Sequence, residues 1–118
     1  MKKILILDDN EDILMLMQMT LKMNNFIVQG ISQWQEINES IAKFNPDLIL
    51  LDVFLNGADG REICKKIKQT EKTSHIPIIL FSANNEMGNN FQSFYAQAFI
   101  SKPYTLTHLL QTIRSNLN

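Results

Sequence analysis

Short apolar runs alternate along the chain with segments in which apolar residues recur every three or four positions. The apolar runs predict five buried strands, at residues 4–7, 26–28, 48–52, 77–81 and 98–100. The intervening segments predict helices near residues 10–24, 34–41, 59–70, 84–95 and 106–117. Strict alternation of strand and helix is typical of a parallel sheet covered by helices on both faces. The pattern therefore predicts a three-layer α/β domain.

Some helices are better defined by the sequence than others. In the first helix Ile13, Leu14, Met17 and Leu21 form one apolar stripe. The same helix carries Met15, Met17, Met19 and Met23, and we expect these methionines to fill gaps in the core rather than to form a binding face. The segment 84–95 is the weakest helix, because it contains Gly88 and four asparagines.

Two details concern the segment after the second strand. Ser32 and Gln35 have the spacing of a capping box, which predicts that a helix begins there. Trp34 lies in this segment, and we interpret it as a packing residue between helix and sheet rather than as a platform for a ligand.

Composition and charge limit the class of protein. The chain has 118 residues, of which 45% are hydrophobic and 19% charged, as expected for a single soluble domain over residues 1–118. A net charge of -1 gives no general attraction to nucleic acid or membrane, and the basic residues of the third helix indicate a solvated face. The single cysteine, Cys64, cannot form an internal disulfide, and the N-terminal apolar run is too short for a signal peptide. We therefore predict a cytoplasmic protein.

Polar residues follow four of the predicted strands at the point where each strand ends. Asp8 and Asp9 follow the first strand, Asp52 ends the third, Ser82 follows the fourth, and Lys102 follows the fifth. The carboxyl ends of parallel strands meet at one edge of the sheet, where ligands of open α/β proteins bind. We expect these side chains to converge there.

This set of side chains has the chemistry for phosphoryl transfer onto an aspartate. Three gathered carboxylates repel one another, and a divalent cation such as Mg²⁺, which prefers oxygen ligands, offsets that repulsion. Lys102 offers a point positive charge that suits a phosphoryl group, and Ser82 offers a hydroxyl donor. Each residue alone has an ordinary structural explanation, as a helix cap or a turn, but the four strand ends together favour a functional site.

The chain resembles the response-regulator receiver domain of two-component signalling, through Asp8-Asp9, Asp52, Ser82-Ala83 and Lys102-Pro103. The resemblance covers essentially the whole chain. It implies the flavodoxin-like (βα)5 fold with a parallel five-stranded sheet of order 2-1-3-4-5, a doubly wound arrangement already known from a protein of this family. It also implies partners: a sensor histidine kinase or histidine phosphotransfer protein as donor, and a downstream protein target. A monomer or a phosphorylation-dependent dimer is expected.

The resemblance further implies a role for each site residue. Asp52 would be the phosphoacceptor; Asp9, Asp52 and the backbone carbonyl of Phe54 would hold Mg²⁺, and Asp8 would assist through water. Lys102 would pair with the phosphoryl group. Ser82 and the aromatic Phe99 would form the switch that alters the surface of the fourth helix, fifth strand and fifth helix.

The chain departs from the family pattern at two positions. Asn56, followed by Gly57, stands where the family often has proline, four positions after Asp52. Tyr95 stands where a glycine is usual, four positions before Phe99, which puts the end of the fourth helix in doubt.

Three other functions compete with this interpretation. A magnesium-dependent aspartyl phosphatase would carry a second acid two residues after its nucleophile, where this chain has Phe54. A nucleotide- or flavin-binding module would need a glycine-rich first turn, whereas Asp8 and Asp9 would repel phosphates. A degenerate receiver acting through protein contacts alone would not need the complete motif. We therefore expect a signalling module and not a conventional enzyme.

Overall fold

The computed structural model describes residues 1–117. In chain order its elements are β1 (Lys3–Leu7), α1 (Glu11–Met23), β2 (Ile27–Ile31), α2 (Ile37–Phe44), β3 (Leu48–Asp52), β4 (Phe54–Leu55), β5 (Ala58–Asp59), α3 (Gly60–Gln69), β6 (Ile78–Ser82), β7 (Ala98–Ser101) and α4 (Leu106–Ser115). Three short 3₁₀ helices span Trp34–Glu36, Asn85–Gly88 and Phe91–Phe94.

Five parallel strands form one sheet in the order β2-β1-β3-β6-β7. The remaining two strands, β4 and β5, form a small antiparallel hairpin in the loop after β3. Without that hairpin, the order along the chain is the predicted 2-1-3-4-5. The flavodoxin-like α/β architecture is therefore confirmed.

Successive side chains of the central strands point to opposite faces of the sheet, and each face carries its own core. One core joins Leu5, Leu7, Ile49 and Leu51 to the buried residues of α2 and α3. The other core joins strand residues of the opposite parity to the buried residues of α1 and α4, including Leu14, Met17, Leu21, Leu109, Leu110 and Ile113. The three layers follow from this alternation. Within the described chain, no helix has the length and apolar content needed to cross a bilayer.

Helix α1 corrects the prediction for its methionines. Met17 is buried, with 3% of its surface exposed, but Met15, Met19 and Met23 are 60%, 55% and 81% exposed. A helix lying on a sheet buries one stripe, which Leu14, Met17 and Leu21 already fill. Methionines spaced four residues apart therefore share the outward face, and the prediction of core packing is wrong for three of the four.

The region between β2 and α2 begins differently from the prediction. A 3₁₀ helix at Trp34–Glu36 precedes α2. Its N-cap residue is Gln33, whose side chain makes no capping hydrogen bond. The predicted capping box of Ser32 and Gln35 is therefore not what starts the 3₁₀ helix. Trp34 packs against the core next to α2 and α3, which confirms its packing role.

The predicted helix over residues 84–95 is also wrong. Two 3₁₀ helices occupy this segment, and Asn90 between them has a left-handed φ of 63°, which a continuous α-helix cannot contain. Tyr95 ends the second turn with a φ of 65°. This is the position where the family pattern has glycine, and the backbone here adopts the conformation that glycine would adopt most easily.

Candidate functional site

The register of the sheet brings the predicted strand ends together at its carboxyl edge. Leu7 of β1 pairs with Leu51 of β3, so Asp8 and Asp52 come next on two adjacent strands. At the other side of β3, Ser82 ends β6 in register with Ser101 of β7. The amide of Lys102 then donates to the carbonyl of Ser82 over 2.8 Å. The convergence expected from the sequence is therefore present.

Three carboxylates form the centre of this edge. One oxygen each of Asp8, Asp9 and Asp52 lies within 4.8 Å of the other two. Asp8 and Asp52 are buried, whereas Asp9 is exposed. Hard oxygen ligands at this spacing, open to solvent on the Asp9 side, suit Mg²⁺, which binds through one or two carboxylates and keeps several waters. The donor set fits the cation that the sequence predicts.

Lys102 lies between the two buried carboxylates. Its Nζ is 3.5 Å from Asp8 Oδ2 and 3.7 Å from Asp52 Oδ2. The same ammonium lies 4.6 Å from the centroid of the Phe81 ring. One cation thus serves two acids, so this cluster keeps an excess of negative charge.

The pKa of Asp52 is raised from 3.8 to about 7, and burial is the largest cause. The positive charge of Lys102 opposes this rise, the negative charge of Asp8 adds to it, and the Phe54 amide opposes it. The Phe54 amide lies 3.3 Å from Asp52 Oδ1. An additional cation at this edge would favour the ionised carboxylate. The site is therefore arranged to couple cation binding to the charge of Asp52.

Local structure holds the first two acids in place. Asp8 Oδ1 accepts a hydrogen bond from the Asn10 amide at 2.9 Å, and the Asn10 side chain caps the first turn of α1. Asp9 Oδ2 accepts a hydrogen bond of 2.7 Å from the amide of Asn56, in the turn of the β4–β5 hairpin. This second contact was not foreseen from the sequence, because it joins residues 47 positions apart.

The two predicted switch residues both contact the segment that follows β6. The buried hydroxyl of Ser82 accepts a hydrogen bond from the Asn84 amide at 3.1 Å. The Phe99 ring packs closely on Gly88, where a Cβ would lie 2.5 Å from Cδ2 of the ring. Because Gly88 has no Cβ, the Phe99 ring can pack against the 3₁₀ helix at Asn85–Gly88.

Two further residues near the site were missed by sequence reasoning. Tyr104, two positions after Lys102, has its pKa raised by burial and by the nearby charge of Asp8. Gly60 approaches the backbone of Asp52 so closely that a Cβ would lie 2.9 Å from the Asp52 carbonyl carbon, and its amide donates to Val53. The sequence predicts a helix that begins near residue 59, but it does not predict this close approach of Gly60 to Asp52.

Comparisons with known proteins agree with this geometry. The family model described as the response regulator receiver domain matches residues 4–114. The nisin biosynthesis regulatory protein NisR of Lactococcus lactis is 37% identical over 120 residues, which cover 98% of this chain and 50% of NisR. The transcriptional regulatory protein ResD of Bacillus subtilis is 35% identical, over 98% of this chain and 48% of ResD. The chain spans about half the length of these curated relatives.

Solved structures give the same fold. The response regulator TrrA of Thermotoga maritima, in complex with Mg²⁺ and BeF, superposes with a TM-score of 0.89 at 25% identity, over 99% of this chain and 100% of TrrA. The BeF3-activated N-terminal receiver domain of Klebsiella pneumoniae RstA superposes with a TM-score of 0.88 at 26% identity, over 98% of each chain.

Proposed function

Because the chain belongs to the family of response regulator receiver domains, we propose that Asp52 accepts a phosphoryl group and that the chain acts as a phosphorylation-controlled switch. Receiver domains are signalling domains rather than enzymes that turn over a separate substrate. The observation that carries the proposal is the position of Asp52, a nearly buried carboxylate at the end of β3 that faces Asp8 and shares Lys102 with it.

The proposed reaction transfers the phosphoryl group from a phosphohistidine to the carboxylate. An Asp52 oxygen bonds to phosphorus while the P–N bond breaks, and the leaving imidazole keeps the electron pair and takes up a proton from solvent. Lys102, with its Nζ 3.5 Å from Asp8 and 3.7 Å from Asp52, neutralises part of the charge that the phosphoryl group brings. The Phe54 amide helps to orient the attacking carboxylate.

Asp9, Asp52 and the backbone carbonyl of Phe54 would hold Mg²⁺, with Asp8 assisting through water. When bound, the cation supplies positive charge that offsets the repulsion between the acids and the phosphoryl oxygens. Ser82 would donate its hydroxyl to the phosphorylated Asp52, and the Phe99 ring would turn with it. We propose that this changes the surface formed by the two 3₁₀ helices after β6, by β7 and by α4.

The partners and context of the switch are part of the same proposal. A sensor histidine kinase or a histidine phosphotransfer protein would be the donor, and a protein would read the altered surface, in a monomer or a phosphorylation-dependent dimer. Residues 1–118 would form a single receiver domain. The cytoplasmic location predicted from the sequence belongs here too, and the lone buried Cys64 supports it.

Phosphorylation of Asp52 can be tested with a small phosphodonor. We expect intact mass spectrometry of the chain incubated with acetyl phosphate and Mg²⁺ to show the added mass of one phosphoryl group. Asp52→Asn should show no addition, whereas Asp47→Asn, which changes an acid at the opposite edge of the sheet, should behave as the wild type. No addition to the wild type, or an unchanged addition to Asp52→Asn, would favour a degenerate receiver.

Phe54 gives a second test, through the lifetime of the phosphorylated state. Its side chain is 52% exposed, two positions after Asp52, beside the path by which water would reach the phosphoryl group. We expect Phe54→Asn to change the rate at which the added phosphoryl mass disappears after the donor is removed. Equal decay rates for the variant and the wild type would contradict this role.

A further inference from the structure

The Asp9 carboxylate is held by the main chain of a distant loop. Asp9 lies between β1 and α1, is exposed to solvent, and accepts a 2.7 Å hydrogen bond on Oδ2 from the amide of Asn56. Hydrogen bonds from an amide to an ionised carboxylate are shorter and stronger than bonds between neutral groups. This bond therefore restrains a side chain that exposure would otherwise leave free to change rotamer.

The amide that makes this bond is itself well fixed. Asn56 and Gly57 form the turn of the β4–β5 hairpin, in which Leu55 pairs with Ala58. Leu55 is buried in the core beneath, and Gly57, with a φ of 85°, lies beside the indole of Trp34. Because the hairpin is anchored on both sides, the orientation of the Asn56 N–H toward Asp9 is fixed.

The restrained carboxylate already lies where a cation would need it. With Oδ2 bound to Asn56, an Asp9 oxygen lies within 4.8 Å of oxygens of both Asp8 and Asp52. Hydrogen bonds that orient metal ligands commonly contribute about 10–100-fold to metal affinity. We propose that the backbone amide of Asn56 is a positioning group that holds Asp9 for a divalent cation. The inference rests on the proposed function, because it assumes that Mg²⁺ binds at this edge.

A matched pair of variants tests the amide separately from the side chain. Asn56→Pro removes the N–H, and Asn56→Ala keeps it. Proline is compatible with the backbone of this turn. Gly57 has a positive φ and Asn56 does not, as in a type II turn, where proline is common at position i+1 and glycine at position i+2. Mg²⁺ titrations followed by the backbone amide shifts of Asp9 and Asp52 in NMR should show binding about tenfold weaker for Asn56→Pro. Asn56→Ala should bind as the wild type does.

The opposite results overturn the inference. Unchanged or tighter binding by Asn56→Pro would mean that the amide does not position Asp9 or competes with the cation. Equal weakening in Asn56→Ala would assign the effect to the side chain. If the wild type binds Mg²⁺ and is phosphorylated, and both variants bind Mg²⁺ with the same affinity as the wild type, only this inference fails. If the wild type binds no Mg²⁺, the proposed function fails with it.

A measurement on the wild type alone keeps the inference testable if Asn56→Pro does not fold. Hydrogen exchange of the Asn56 amide reports directly on its bond to Asp9. Saturating Mg²⁺ should leave this amide protected or slow its exchange further, because the same bond persists when Asp9 binds the cation. Faster exchange in Mg²⁺ would show that the cation displaces the amide, which contradicts a positioning role.

Discussion

Neutralising Asp52 should stabilise the fold, and the gain should grow as the pH rises. The carboxylate is 6% exposed, and burial is the largest cause that raises its pKa from 3.8 to about 7. Between these two values the folded protein holds a proton that the unfolded chain has released. The free energy of unfolding therefore falls as the pH rises through this window and stays low above it.

The size of this effect follows from the shift in pKa. One pKa unit corresponds to about 1.36 kcal/mol, so the carboxyl group of Asp52 costs the folded state about 4 kcal/mol at pH 8, where it is ionised in both states. At pH 5 the cost is about 2 kcal/mol, because the folded state must hold a proton that the unfolded chain releases. Asn at this position has the same shape and carries no charge. We expect the free energy of unfolding of Asp52→Asn to exceed that of the wild type by an amount that increases by about 2–3 kcal/mol between the two pH values.

Urea unfolding in EDTA at pH 5 and pH 8 measures this difference. Asp8→Asn provides the matched control, because removing the Asp8 charge lowers the pKa of Asp52 and should reduce the pH dependence without removing the carboxylate. Addition of Mg²⁺ at pH 8 should stabilise the wild type more than Asp52→Asn. A gain that is the same at both pH values, or an Asp52→Asn protein less stable than the wild type at pH 8, would refute the reasoning.

Five further substitutions, at four positions, test the packing by urea unfolding. Met17→Ala should cost about 2–5 kcal/mol, whereas Met19→Ala, on the outward face of the same helix, should change stability by less than about 0.5 kcal/mol; equal costs would contradict the assigned faces. Tyr95→Gly should be more stable than Tyr95→Ala by about 1 kcal/mol, because only the alanine keeps a Cβ at a left-handed φ, and the reverse order would contradict the strain. Gly88→Ala should cost about 1–3 kcal/mol by displacing the Phe99 ring, and a neutral result would show that the ring moves freely.

The sequence predicts the site well because the site depends on strand ends. An apolar run predicts where a strand lies, and the polar residue at its end is predicted to lie at the carboxyl edge of the sheet. The pairing of Leu7 with Leu51 then brings Asp8 and Asp52 together without any need to know the loops. The topology and the gathering of the acids are set by the most regular parts of the chain, where periodicity carries most information.

The helices are predicted less well, because apolar periodicity alone does not say which face meets the sheet. In α1 two apolar stripes compete: the stripe of Leu14, Met17 and Leu21 is buried, and the other methionines of the helix are exposed. In the segment 84–95 the apolar spacing is helical, but a left-handed Asn90 interrupts the backbone. Short-range backbone preferences of asparagine, which spacing does not measure, decide this segment.

The two departures from the family pattern have structural consequences that spacing could not reveal. Proline has no N–H, so a chain with proline at position 56 could not make the bond that Asn56 donates to Asp9. Likewise, Tyr95 takes a left-handed φ at a position where glycine would take it without strain. Asn56 adds a donor directed at an acid, and Tyr95 adds a half-exposed ring before β7. Differences in cation affinity or in partner choice between this chain and its relatives should therefore be sought first at these two positions.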